Sequence, residues 1–350
     1  MPPWLIRLAV ALLIAVVVGN GYLFWAWNHA LEPGAEIYEV KPGMPLRSFA
    51  RELSARGVLP ESHSFVWLAH LTGRDRGLKP GEYRFRDGMT ARELLDQIVA
   101  GRVIEYPVVL LEGWTFQQFL ATIRAAPKLT QALAGMSPAT IMERLGRPGE
   151  HPEGRFFPAT YYYSSGQTDI MVLANAYEKM QQLLQREWEG RENNLPLKNA
   201  YEALILASIV EKETGRADER RLIAGVFINR LRHGMRLQTD PTVIYGMGKS
   251  FDGNLRLKDL RRDTPYNTYT RRGLPPTPVA MPGKESLQAA LHPMVTGALF
   301  FVARGDGSHE FSSTLAEHNL AVLKYQMKGK PRKAPAPAVP SAREQNPKPN

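Results

Sequence analysis

From Leu8 to Trp27 the chain runs for twenty residues without a charge and with Asn20 as its strongly polar side chain, enough for a helix to cross ~30 Å of hydrocarbon. No polar stripe marks a solvent face over five turns, so the segment does not read as the amphipathic helix of a soluble domain. Tyr22, Trp25 and Trp27 crowd its far end and Trp4 its near end, where amphipathic rings favour the headgroup layer. Arg7 precedes the span, and Glu32, Glu36 and Glu39 follow it. This weak bias predicts a cytoplasmic amino terminus and a body outside the cytoplasmic membrane. A cleaved signal peptide is the competing reading, but it would end in a small-x-small site, and this run ends in the bulky Trp25-Ala26-Trp27-Asn28-His29-Ala30.

Beyond the span the hydrophobic period alternates between two and 3.6. Ile37-Tyr38-Glu39-Val40 reads as a strand, Lys41-Pro42-Gly43-Met44 as a turn, and Pro45 to Leu53 as an amphipathic helix. The cassette returns in Gly81 to Phe85, Asp87-Gly88-Met89 and Thr90 to Val99, where Thr90 and Glu93 have capping-box spacing. A third copy begins at Val108 and continues through Glu112-Gly113-Trp114 into a helix from Thr115 to Ile123. The unequal gaps between Gly43, Gly88 and Gly113 exclude a solenoid, which keeps one period. With a second helical stretch from Ser62 to Leu71, the segment Ile37 to Phe85 resembles the LysM-like fold found beside bacterial cell walls. A small α+β spacer that binds nothing fits the same pattern.

Composition narrows the field. The 350 residues are 44% apolar and contain no cysteine, so disulfides, thiolate nucleophiles and Cys-based metal sites are excluded. The net charge is +10, yet half of it sits in residues 328 to 350, where six basic side chains face Glu344 alone. That Pro-, Ala- and Lys-rich stretch is expected to be a disordered tail. The body has no basic stripe interleaved with aromatics, so nucleic acid is not expected as a partner. His292, His309 and His318 lack compact ligand spacing, and no metal site is expected.

The most pointed chemistry lies between Asn199 and Thr214. An apolar approach, Leu204 to Val210, runs directly into Glu211-Lys212-Glu213-Thr214. On a helix Glu213 continues the row of Leu206, Ile209 and Val210, whereas Glu211 continues Leu204, Ala207 and Ser208. Desolvation in the greasier row raises a carboxyl pKa, which lets it hold and deliver a proton near neutral pH. The bland reading is a helix-end carboxylate paired with Lys212, Arg216 or Arg220. After an amphipathic helix from Arg221 to Arg232, polar side chains able to hydrogen-bond a sugar recur in Gln238-Thr239-Asp240 and in Tyr266-Asn267-Thr268-Tyr269. Both stretches read as loops, and Gly273 to Pro278 with Met281-Pro282-Gly283 reads as rigid loops that shape a cleft wall.

Taken together, Ile209 to Thr214, Val226 to Leu231, Leu237 to Gly246, Tyr266 to Tyr269 and Gly273 to Pro276 stand in the order and spacing of the endolytic murein transglycosylases, the MltG or YceG-like family. The resemblance covers residues 1 to about 327. It implies that Glu213 is the catalytic carboxyl, that Gln238, Thr239, Asp240, Tyr266, Asn267, Thr268, Tyr269 and Glu153 serve the substrate, and that no cofactor is needed. Glu153 belongs to the motif Glu153-Gly154-Arg155-Phe156-Phe157-Pro158, after which family members often carry Asp where this chain has Ala159. The implied reaction cuts the MurNAc–GlcNAc bond without water, one carboxyl protonating the leaving oxygen and then taking the proton of the MurNAc 6-hydroxyl. A hydrolytic muramidase needs a second carboxyl. Glu211 lies roughly 200° away around the helix, but Asp240 or Glu153 keeps that alternative open, as does a wall-binding scaffold that catalyses nothing. The expected class is α+β, with 1–29 as cytoplasmic start and transmembrane helix, 30–104 LysM-like, 105–145 a connecting β-α segment, 146–327 the transglycosylase domain, and 328–350 the tail. The implied partners are peptidoglycan strands, the cytoplasmic membrane and, as candidates, peptidoglycan synthases.

Overall fold

The computed structural model describes residues 2–326; the expected disordered tail, 328–350, lies outside the described residues. Helix α1 (Pro3–Asn28) begins with proline in its first turn and is the one described helix long and apolar enough to cross a membrane. At ~1.5 Å per residue it reaches about 39 Å. Its side chains are largely exposed until the last turn. There Ala26 is buried, Trp27 Nε1 donates to the Ser64 carbonyl at 2.8 Å, and the Arg92 guanidinium covers the Trp27 ring. The helix end is thus packed directly into the domain that follows.

The chain divides into two compact units: residues through Pro152 with Pro158–Lys179, and Glu153–Phe157 with Met180 onward. In the first, β1 (Ile37–Val40) is followed by α2 (Leu46–Ala55), α3 (Ser62–Leu71) and β2 (Gly81–Arg84), which pairs antiparallel with β1 through Tyr38 and Tyr83. α4 (Ala91–Ala100) closes the core of Phe49, Leu53, Phe65, Leu68, Phe85, Leu94 and Ile98. Its ends follow the sequence signals: Thr90 and Glu93 form the capping box, and Gly101 takes the left-handed C-cap conformation that favours glycine. The third cassette also forms, as β3 (Glu105–Val109) and α5 (Phe116–Ala125), with Thr115 and Gln118 as capping box. After α6 (Pro138–Arg144), β4 (Thr160–Ser164) pairs antiparallel with β3. Asp169 then starts α7 (Asp169–Glu189), and its buried carboxylate accepts the backbone N–H groups of Ala132 and Leu133.

The second unit is organised around α8 (Ala200–Glu213), whose residues Ala203 to Val210 are buried without interruption. A helix apolar on all sides needs neighbours on all sides. α9 (Arg220–Arg232), α10 (Asp240–Met247) and α12 (Lys284–Leu291) provide them, with α11 (Leu257–Arg261) between the last two in sequence. An antiparallel pair, β5 (Phe300–Ala303) and β6 (His309–Ser312), and α13 (Leu315–Tyr325) complete the unit.

Two loop expectations are corrected. Residues from Asp240 form α10, because Asp240-Pro241 is a helix start, with Pro at the position whose N–H needs no partner. The proline-rich segment from Pro275 to Gly283 is mostly buried and packs on α8, where the Val279 N–H donates to Ser208 Oγ at 3.0 Å. Prolines lack the N–H groups that would otherwise be orphaned there. None of this segment lines the cleft around Glu213.

Candidate active site

Glu213 is the last residue of α8, and the reason lies in the residues on either side. Asn199 caps the amino end by accepting the Glu202 N–H, the apolar run carries the helix through the core, and Thr214 leaves it in extended conformation. The carboxyl therefore emerges where a buried helix meets a cleft of about 570 Å³. It is half-buried, and Thr239 Oγ1 donates a short hydrogen bond to it. Burial raises its pKa to about 7. The Thr239 bond opposes this, Asp240 adds to it, and His309 and Arg230 oppose it. A carboxyl so placed is divided between its two forms near neutral pH, the condition for efficient proton transfer.

Glu211 has a different fate. It accepts the Gly283 N–H at 3.0 Å, at the head of α12. The two carboxylates of the motif thus serve two places, as their positions on the helix require.

The segment opposite Glu213 is pinned by threonines. Thr268 Oγ1 accepts the Thr239 N–H at 3.1 Å and lies 2.9 Å from Thr242 Oγ1, while Thr242 donates to the Thr239 carbonyl. Gln238 has φ of 51°, a left-handed conformation uncommon for a residue with a side chain, and it lines the cleft. Asp240 and Tyr269 line it as a pair, the phenol donating to the carboxylate at 2.6 Å. Burial, then this bond, raises the Tyr269 pKa.

Of the substrate residues expected from sequence, the cleft thus gathers Gln238, Asp240 and Tyr269 with Glu213, and Thr239 binds Glu213 directly. Four lie behind it. Tyr266 packs against Tyr245, and its hydroxyl is 2.9 Å from Thr277 Oγ1. Asn267 donates to the carbonyls of Asp259, Leu260 and Arg262, holding the end of α11. Thr268 belongs to the threonine cluster, and buried Glu153 accepts the Tyr245 hydroxyl at 3.0 Å. The cleft also contains Arg230, Phe300, His309 and His318, which the sequence reading did not select for the site. Arg230 is 6% exposed and donates to the carbonyls of Leu299 and Leu237, each at 2.6 Å, with Phe300 against its guanidinium. It lies in the quoted stretch Val226 to Leu231, on a helix that also carries Arg220, Arg221 and Arg232, so its charge alone does not single it out.

A second groove, of about 740 Å³ in the first unit, is lined by Arg47, Arg51, His63 and Trp67 and has no carboxyl along it. Among the described residues no group of three or more acidic or histidine side chains could hold a metal ion.

The geometry defines a mixed α+β protein with one carboxyl poised for proton transfer at the end of a buried helix. Comparison with known proteins gives the family. The YceG-like family model matches residues 38–324, and the chain belongs to that family. A Bacillus subtilis (strain 168) protein named endolytic murein transglycosylase is 30% identical over 335 residues, 89% of this chain and 91% of its own length. A Streptococcus pneumoniae (strain D39) protein of the same name is 28% identical over 71% of this chain, which spans 51% of that protein. The crystal structure of a YceG-like protein from Listeria monocytogenes matches with TM-score 0.52 at 28% identity, covering 82% of this chain and 99% of its own.

The Thr239 contact can be tested directly. Removing a hydrogen bond that favours the carboxylate raises the Glu213 pKa further. Thr239→Val is therefore expected to move the alkaline limb of the pH–rate profile upward, because the acid form then persists to higher pH.

Proposed function

We propose that this protein is an endolytic lytic transglycosylase that cuts MurNAc–GlcNAc bonds within peptidoglycan strands and leaves 1,6-anhydroMurNAc ends. The observation that carries the reading is Glu213, a carboxyl with a pKa of about 7 set in an open cleft of a YceG-like chain. Protonated, it gives its proton to the leaving GlcNAc oxygen. As carboxylate, it can accept the proton of the MurNAc 6-hydroxyl that closes the ring. Gln238, Asp240 and Tyr269 offer donors and acceptors for sugar hydroxyls along the same wall. The reaction consumes no cofactor.

Mass spectrometry of muropeptides released by the full-length chain in detergent tests this. Anhydro ends are the expected product. Reducing ends would mean hydrolysis with Asp240 as second carboxyl, since it lines the same cleft. Binding without cleavage would mean a scaffold.

The anchored arrangement belongs to the same proposal: α1 spans the cytoplasmic membrane once with its amino terminus inside, and the catalytic unit stands outside beside the wall and its synthases. Its support is the uncharged run of α1 with aromatics at its ends. The strand–helix–helix–strand order of β1 to β2 is consistent with a LysM-like spacer. A reporter fused after Asn350 is expected on the outer face, with the full-length chain retained in membranes after salt washing. A shortened soluble product would identify α1 as a signal peptide.

A further inference from the structure

The first unit follows α1 without a linker. Helix α1 ends at Asn28, and Leu31 already belongs to the core, its N–H donating to the Met89 carbonyl and its own carbonyl accepting the Gly88 N–H. Across that short gap Trp27 bonds α3 through the Ser64 carbonyl. At about 39 Å α1 is longer than the ~30 Å of hydrocarbon it crosses, so its final turns reach the headgroup layer. Whatever packs on those turns is held at the membrane surface.

Helix α3 does so. Its Phe65, Leu68 and Ala69 are buried, whereas Trp67 and Leu71 are 60% and 63% exposed. Exposed apolar side chains are ordinary when scattered singly, but these two stand one turn apart, and Trp67 lines the groove of about 740 Å³. The groove's cations are Arg47 and Arg51, also one turn apart, on α2, which packs on α3. Other arginines of the unit have carboxylate partners, Arg56 in Glu36 and Glu52 and Arg74 in Asp96, whereas among the described residues Arg47 and Arg51 form no ion pair. The carboxylates flanking α3 are engaged, Glu61 by His63 at 3.1 Å and Asp75 by His70 at 3.0 Å. Two cations without counter-charge and an exposed indole thus meet in one groove on the helix that α1 holds.

We propose that this groove takes the phosphate of an anionic phospholipid from the bilayer that α1 crosses, with Arg47 and Arg51 on the phosphate and Trp67 in the interface beside it. The proposal rests on the anchored arrangement given above. Guanidinium groups pair well with phosphate oxygens, an indole favours headgroup depth, and cations beside a bilayer draw in anionic lipid. A single spanning helix leaves the unit free to turn about the helix axis, and a second attachment beside it removes that freedom. A glycan strand is the rival occupant of a LysM-like unit, but its sugar backbone gives the two arginines no anion.

The chain contains no cysteine, so one introduced thiol can carry a nitroxide label. The test places the label at Leu71→Cys in the full-length chain, in nanodiscs of phosphatidylcholine alone or mixed with phosphatidylglycerol, and reads its accessibility to oxygen and to a water-soluble nickel chelate. Phosphatidylglycerol is expected to raise oxygen access and cut nickel access. Arg47→Gln with Arg51→Gln should weaken lipid occupancy about fivefold per arginine, roughly 30-fold for both, which erases the difference between the two discs at unchanged melting temperature. Arg102→Gln with Arg124→Gln removes the same charge from exposed positions outside the groove and should leave the difference in place. The proposal is overturned by a label that reads as aqueous in both discs, by a lipid effect that survives loss of Arg47 and Arg51, or by one that both double variants abolish equally. Added glycan strands that shield the label where phosphatidylglycerol does not would assign the groove to the wall and overturn it as well. Failure of the anchored arrangement is separate: a label at Val17→Cys then reads as aqueous rather than as hydrocarbon, and the proposal falls with it.

Discussion

Glu213→Gln is expected to remove turnover, by ~10² to 10⁴-fold, while fold and glycan binding persist. Glutamine keeps the shape and can still accept the Thr239 hydroxyl, but it has no proton to transfer. Glu211→Gln is the matched control. Its side-chain oxygen can still receive the Gly283 N–H, so the change should cost little. If Glu211→Gln were the dead variant and Glu213→Gln active, the assignment of the two helix faces would be wrong although the enzyme class would stand.

The same substitution has a stability signature. Burial holds the Glu213 carboxyl at about 7 in the folded chain, against 4.5 for the ordinary group. Between those values the folded state binds more protons than the unfolded one, so stability falls as pH rises through the window. Above it the ionised carboxyl penalises the fold by roughly 3 kcal/mol. Glu213→Gln is therefore expected to melt higher than wild type at pH 8 to 9 and to match it near pH 4.5. Equal melting temperatures at both extremes would show that the carboxyl is not desolvated. A gain in stability paired with lost turnover is the usual mark of a strained functional group.

Much of this was legible in the sequence, for local reasons. The boundaries of α3, α4 and α5 follow from alternation, glycine turns and capping residues only a few positions apart. Glu213 was legible because the helix period alone separates it from Glu211. What remained hidden depends on partners far along the chain. Asn267 looks like a sugar ligand until the three carbonyls at the end of α11 claim its amide. His309 looks like an isolated loop histidine until folding brings Glu219 to it. The proline-rich segment looks like a cleft wall because rigidity is visible in sequence, and the surface it packs on is not.

Gly225→Ala is expected to damage the second unit although it adds a single methyl group. Gly225 lies within α9 with ordinary helical φ, so an intrinsic helix preference of about 1 kcal/mol favours alanine. Packing reverses the sign. A Cβ there would stand 2.4 Å from the Met294 carbonyl oxygen and 3.0 Å from Thr296 Cγ2. The oxygen is backbone and cannot swing aside. The segment that carries it is also strapped to α9 along its length: Met294 N–H donates to the Arg221 carbonyl, Asn229 Nδ2 to the carbonyls of Thr296 and Ala298, and Arg230 to that of Leu299. Relief of the clash must loosen this strap, which leads into β5 and the Phe300 side of the cleft. Overpacking of this kind costs ~1–3 kcal/mol and occasionally more, and a contact this short against backbone belongs at the upper end. The net loss of about 2 kcal/mol lowers the melting temperature by roughly 4 to 8 °C in a unit of this size, with turnover reduced through the displaced cleft wall. Gly190→Ala, whose nearest neighbour would be 3.7 Å away, should melt with the wild type. If both variants melt alike, the close approach of α9 and the Met294 segment is not what glycine protects.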